Sequence, residues 1–337
     1  MKLSRSLKIA LAIALIILLA ILLIPLIRVG LKTIAVAVNV LIPQGDWRPL
    51  QWLTETPLQE KQEIQSVDGR TLTLYMYRPA AKKPRSALII YTPLIGPGPQ
   101  DPRLINLADT FVRSGFVAVI PWRFEDQQII TPKDIGDVVS TALFLKNHPE
   151  LKIEKLGLMG LSYGNGPTIA AAADPRIRDD VSFVVSFGGY YDLQNAAQFL
   201  ATGNFSYGTI EGNLEPADYA RDILKNTLAY HGLTEENFLE STEFAELRRV
   251  LSPSQYIERS AAEFFILHST DDRYIPYTES MRLRDALSGR VPTQFALTTI
   301  FEHGDYKPLT WQNIRRLYLP TAGDFYKFLY LILSKYL

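Results

Sequence analysis

Cysteine is absent from this chain of 337 residues, which excludes disulfides, thiolate metal sites and cysteine nucleophiles. The absence leaves the redox compartment open and merely permits an oxidising one. Net charge is lacking too: 35 basic residues stand against 35 acidic ones, with no lysine or arginine run. A nucleic-acid partner is therefore not expected. Histidine is scarce, at four residues. No H-E-x-x-H pair or calcium loop occurs, and Gly96-Pro97-Gly98-Pro99 lacks the strand–helix setting and the lysine of a phosphate cradle. Glu302-His303-Gly304-Asp305 carries one histidine among acids, which reads as a charged loop rather than a metal site. The expectation is an activity that needs no metal and no cofactor.

What the chain does have begins at its N-terminus. Ile9 to Ile27 contains no charged or strongly polar side chain. As a helix it would span about 29 Å, close to the hydrocarbon thickness of a bilayer. Lys2, Arg5 and Lys8 precede it, while Arg28 and Lys32 follow. That bias favours a cytoplasmic N-terminus and an extracytoplasmic remainder. The alternative is a cleaved export signal, since Ala35-Val36-Ala37 resembles a cleavage site, although the apolar run is longer than a usual signal core. The organisation expected is an anchor over 1–28, a juxtamembrane segment and linker over 29–60, and one domain over 61–337.

Within that domain, Lys61–Val67 and Thr71–Tyr77 alternate as strands about an Asp68-Gly69 turn. Ala87–Tyr91, Phe116–Ile120, Val181–Phe187 and Phe264–His268 are short continuous apolar runs, the pattern of strands buried on both faces. Gln294–Ile300 adds a further strand. Pro102–Ser114, Asp134–Asn147 and Ala322–Tyr336 read as helices between or after them. Alternating strands and helices imply a mostly parallel sheet with helices on both faces. Residues from about 193 to 258 interrupt the alternation and read as helical throughout, with Pro216 in a first turn, Gly232 and Thr234 at caps and Ser252-Pro253 as a stop. Most of the aromatic residues there serve an added helical layer, whose underside could form a substrate pocket.

The most informative stretch is Gly160-Leu161-Ser162-Tyr163-Gly164. An apolar strand precedes it, and the small-residue run Asn165–Ala173 follows as a helix. A serine in so tight a strand-to-helix turn needs neighbours without a Cβ two residues to either side, and Gly160 and Gly164 satisfy this. Strand, G-x-S-x-G and helix together resemble the nucleophile elbow of an α/β-hydrolase. Phe264–Pro276, containing Asp271-Asp272, is similar to that superfamily's H-G-x-x-D-x-x-V-P block. The resemblance covers most of residues 61–337 and is nearest to the dienelactone-hydrolase and prolyl-oligopeptidase-like esterase branches.

The resemblance implies an α/β-hydrolase fold with a helical cap and a triad in the order Ser, acid, His. Ser162 is then the nucleophile. His303 is the histidine that lies beyond the acid, unlike His148, His231 and His268. Counting back from Pro276 selects Asp272 as the acid, with Asp192 and Asp271 as alternatives. The oxyanion hole is expected at the N–H of Tyr163 and of Leu94, with Ile95 next. Here Thr92-Pro93-Leu94 departs from the His-Gly of relatives, and Pro93 has no N–H to offer. The implied activity is hydrolysis of a small-molecule or lipid-like carboxylic ester. Thioester, lactone and peptide bonds, or a non-catalytic binding role at the membrane, are the alternatives.

Overall fold

The computed structural model describes residues 26–42, 48–80, 84–94, 96–123 and 129–337. The expected anchor, Ile9–Ile27, therefore lies almost wholly outside the described residues, as does Ile95. Among the described residues no helix is long and apolar enough to cross a membrane.

In chain order, helix α1 covers residues 26–41, and α2 is Pro49–Leu53. The strands β1 (Leu58–Gln65), β2 (Thr71–Arg78), β3 (Ser86–Tyr91) and β4 (Phe116–Trp122) follow, with α3 (Pro102–Ser114) between the last two. Helix α4 (Asp134–Lys146) leads to β5 (Lys155–Leu161), then α5 (Asn165–Ala172) and β6 (Val181–Phe187). Strands β9 (Glu263–Ser269) and β10 (Thr293–Thr298), joined by α9 (Thr278–Leu287), complete an eight-stranded sheet. Its order is β1-β2-β4-β3-β5-β6-β9-β10. The first two pairings are antiparallel and the rest parallel.

Every residue of β3, β4 and β9 is buried, because helices cover both sheet faces. Successive side chains alternate between the two faces. Leu88, Ile90, Val185 and Leu267 pack on the face covered by α3, α1 and the C-terminal helix α11 (Leu319–Tyr336), which follows the short α10 (Trp311–Asn313). Ala87, Ile89, Val184 and Ile266 pack on the face covered by α4, α5 and α9. Boundaries follow local chemistry: Asp101 accepts the Arg103 N–H at the start of α3, and Gly115, at φ 121°, ends it.

The segment expected to be juxtamembrane structure and linker is integral to this packing. Ala35, Val36 and Val40 of α1 and Leu50 of α2 are buried in the same cluster as α3 and α11. Polar contacts fix α1 and α2 to α3. Asn106 donates through Nδ2 to the Asn39 carbonyl at 3.0 Å, Lys32 donates to the Ser114 carbonyl at 2.9 Å, and Arg48 bonds Asn106.

The cap differs from the expectation of continuous helix. It contains α6 (Leu193–Thr202), α7 (Asp218–Tyr230) and α8 (Thr242–Leu251), but a two-stranded hairpin, β7 (Asn204–Tyr207) with β8 (Ile210–Asn213), separates the first two. Gly203 and Gly208, both at positive φ, make the turns that allow it. Thr234 does not cap a helix: Ser241 does, its hydroxyl accepting the Phe244 N–H at 3.1 Å. Gly232 at φ 71° does follow α7, and α8 does stop at Ser252-Pro253.

Candidate active site

Ser162 sits just beyond the C-terminal end of β5 with φ at 55°. That conformation is strained for a residue with a Cβ, and the flanking glycines make it possible. A Cβ on Gly160 would lie 2.5 Å from the Asn165 Cα, and one on Gly164 would lie 2.3 Å from the Tyr91 carbonyl oxygen. The turn over Ser162–Gly164 runs directly into α5, so the first N–H groups of that helix open beside the serine.

His303 is the other non-glycine residue at positive φ among the described residues, at 56°. It occupies the turn between two short strands, β11 (Phe301–Glu302) and β12 (Asp305–Tyr306). Its Nδ1 lies 2.8 Å from Asp272 Oδ2, and the Tyr274 ring stacks on its face at 4.1 Å. Asp272 is fully buried on the loop leaving β9. Its Oδ1 accepts the N–H groups of Tyr274 at 2.8 Å and Ile275 at 3.0 Å. Burial opposes its ionisation, but the facing His303 and the hydrogen bonds from His268 and His303 outweigh that and hold the carboxyl well below the usual carboxylate range.

The alternative acids are engaged elsewhere. Asp271 accepts from Ser269 at 2.6 Å and pairs with Lys307. Asp192 caps α6 and pairs with Arg248 at 2.7 Å. His268 is buried, with Nδ1 at 2.6 Å from the Ser280 hydroxyl and Nε2 at 2.9 Å from the Ile275 carbonyl oxygen. That Nε2 is also 3.4 Å from Asp272 Oδ2. His268 and Tyr274 thus frame the Asp272–His303 pair, a part the sequence reading missed although His268 stands four residues before Asp272. Gly188, at φ 59°, brings backbone against the pair, since a Cβ there would lie 3.3 Å from Asp272 Oδ2.

Tyr163 follows the serine, and its ring points into a buried ionic cluster that the sequence did not announce. The phenol donates to Asp134 Oδ2 at 2.9 Å. Asp134 Oδ1 pairs with Arg123 at 2.5 Å and accepts from the Tyr91 hydroxyl at 3.1 Å. Asp137, one helical turn on, pairs with Arg70 at 2.9 Å. Burial, then repulsion from Asp134, pushes the Asp137 carboxyl up to about 7 against the pull of both arginines. Burial raises Asp134 as well. The expected second donor, Leu94, lies on the loop after β3, where its carbonyl accepts the Tyr219 hydroxyl at 2.8 Å.

Ser162, Tyr163, Leu94 and His303 all line one cavity of about 280 Å³. Its walls are mostly apolar, with sheet residues such as Met159 and Val185 at the base and two flanking groups. Leu193, Ile223 and Leu247 belong to the cap cluster; Val40, Leu107 and Phe328 belong to α1, α3 and α11. Asp192, Asp271 and His268 do not line it. No group of three or more His, Asp or Glu side chains that could hold a metal ion occurs among the described residues.

A family model described as BD-FAE matches residues 99–287, more than half of the chain. The chain belongs to the BD-FAE family, an α/β-hydrolase family. The matched span contains the elbow and Asp272 but ends before His303 and begins after α1 and β1–β3. Solved structures agree in fold. A puromycin-hydrolyzing peptidase of Mycobacterium tuberculosis matches with a TM-score of 0.55 and 16% identity, covering 83% of this chain and 39% of that one. An acylaminoacyl peptidase of Pyrococcus horikoshii matches at 0.56 and 16%, covering 87% and 44%. Dipeptidyl peptidase 4 of Porphyromonas gingivalis matches at 0.54 and 13%, covering 82% and 36%. The chain thus spans less than half the length of each, and the likeness is one of fold. No curated protein matches the chain.

Proposed function

We propose that this BD-FAE chain is a membrane-tethered serine hydrolase that cleaves a carboxylic ester through an acyl-enzyme. The observation that carries the reading is that His303, hydrogen-bonded to the buried Asp272 at 2.8 Å, lines the same cavity as the strained elbow serine. With Nδ1 held by Asp272, Nε2 of His303 is the nitrogen left to take the Ser162 proton. Ser162 Oγ then adds to the ester carbonyl, and the N–H groups of Tyr163 and Leu94 receive the oxyanion. Collapse expels the alcohol with the proton from His303. Water, deprotonated by His303, adds to the acyl-enzyme and releases the acid and Ser162. Asp272 stays ionised throughout, because its carboxyl is held so low.

A second reading, amide or peptide cleavage by the same groups, is favoured by the fold neighbours, which are peptidases. The tether rests on the apolar run Ile9–Ile27 and its basic flanks, with the N-terminus cytoplasmic and the hydrolase domain outside; a secreted protein after signal cleavage is the alternative. A fluorophosphonate probe tests the core of the proposal. Labelling at Ser162, lost in Ser162→Ala, is expected. A folded protein that takes no label would be a binding module instead. Turnover of ester against matched amide substrates then separates the two readings.

A further inference from the structure

Granting the serine-hydrolase reading, the cavity narrows the substrate class further. We infer that its arm between α1, α3 and α11 is an acyl-chain subsite, and that the substrate is an ester of a long unbranched acyl chain, with its carbonyl at Ser162 and its tail against Val40, Leu107 and Phe328. Those three side chains line the same cavity as Ser162 and His303, and all come from the cluster that covers one sheet face. An apolar arm of this kind accepts methylenes without leaving any donor or acceptor behind.

Four polar side chains of the lining point the same way, because they already have partners. The Tyr190 hydroxyl donates to the Leu251 carbonyl at 2.9 Å, and the Tyr219 hydroxyl to the Leu94 carbonyl at 2.8 Å. Thr227 accepts the Ile130 N–H at 3.2 Å. Arg103 pairs with Asp101 at 2.7 Å and Asp305 at 2.6 Å. A peptide would bring one N–H and one C=O per residue against these apolar walls and engaged side chains, whereas an acyl chain brings none.

Helix α1 links the subsite to the source of such a substrate. Val36 and Val40 turn inward, while Leu31 and Ile34 on the opposite side are exposed. In sequence, α1 begins at the end of the apolar run Ile9–Ile27. One wall of the subsite is therefore the element nearest the proposed bilayer.

The test uses the full-length protein in lipid nanodiscs with p-nitrophenyl esters from acetate to dodecanoate, alongside fluorophosphonate labelling. The wild-type kcat/KM should rise with chain length by up to about fourfold per methylene until the arm is filled. Leu107→Trp and Val40→Phe, from two different helices, should each lower the dodecanoate-to-acetate ratio at least tenfold while Ser162 still takes the probe. If one variant does not fold, the other reads the same arm, and thermal unfolding identifies which. An unchanged ratio in the folded variants, or a flat wild-type profile, overturns the subsite while labelling leaves the serine-hydrolase reading intact. Loss of labelling in the folded wild type would instead overturn both.

Discussion

A non-glycine residue in the left-handed region carries roughly 1–3 kcal/mol of strain that the surroundings must offset. Ser162 and His303, the two such residues among those described, are the proposed nucleophile and base. Strain at these two points, and not at the many surface turns, is what a rigid acid–base geometry requires. Ser162→Ala should keep the fold and cut ester turnover by about 10⁴–10⁶, with loss of probe labelling. His303→Ala should do likewise. Asp272→Asn should cost far more than Asp271→Asn or Asp192→Asn, since Asp271 faces Lys307 and Asp192 faces Arg248. Equal losses from all three asparagine variants would move the acid away from Asp272. His268→Ala removes a buried partner of Asp272, so it is expected to weaken activity and stability together rather than abolish the former alone.

At the scale of elements, the elbow is held from behind by α4. Tyr163 donates its phenol to Asp134, and Arg123 holds Asp134 from β4's end, so three elements fix the residue whose N–H is proposed to meet the oxyanion. These are positioning residues. Tyr163→Phe and Asp134→Asn should lower kcat by about tenfold with KM little changed, the pattern of an interaction felt in the transition state; a rise in KM alone would contradict this. None of it was legible in the sequence, because Tyr91, Arg123, Asp134 and Tyr163 are brought together only by the parallel crossovers. The strands were legible as short continuous apolar runs, and α3 as a helix that Gly115 stops. The β7–β8 hairpin was not: Phe205 and Tyr207 look equally at home in an aromatic helical cap, and the Gly208-Thr209 turn between the strands was unremarkable by itself. Thr234 misled because it precedes acidic residues as a helix cap would, while the next helix starts only after Ser241.

The whole molecule couples this cluster to stability. Asp137 has its carboxyl pushed up to about 7, against about 3.9 in an unfolded chain. Between about pH 4 and pH 7 the folded protein retains a proton that the unfolded chain has lost, so stability falls as pH rises through that window. Thermal unfolding of Asp137→Asn should show a flatter profile there than the wild type. An identical slope in both would mean that other groups set it.

The same scale decides where the domain begins. Ile9–Ile27 reads as an anchor, yet the helical residues 26–41 bury Val36 completely and carry Val40 into the proposed acyl subsite. Apolarity alone could not separate these two fates, because a core-facing helix and a lipid-facing one look alike in sequence; only the partners on α3 and α11 distinguish them. Full-length protein should remain with membranes through salt and carbonate washes, since hydrophobic insertion is not screened by ions. A chain beginning at Leu26 should fold and hydrolyse esters. One beginning at Pro43 uncovers the α3–α11 surface that Ala35, Val36 and Val40 fill, and the two valines alone are worth about 1.5–3 kcal/mol each. It is expected to aggregate or to melt at least about 10 °C lower than the Leu26 form. Equal melting temperatures for the two would show α1 to be a detachable stalk and would remove the wall from the acyl subsite.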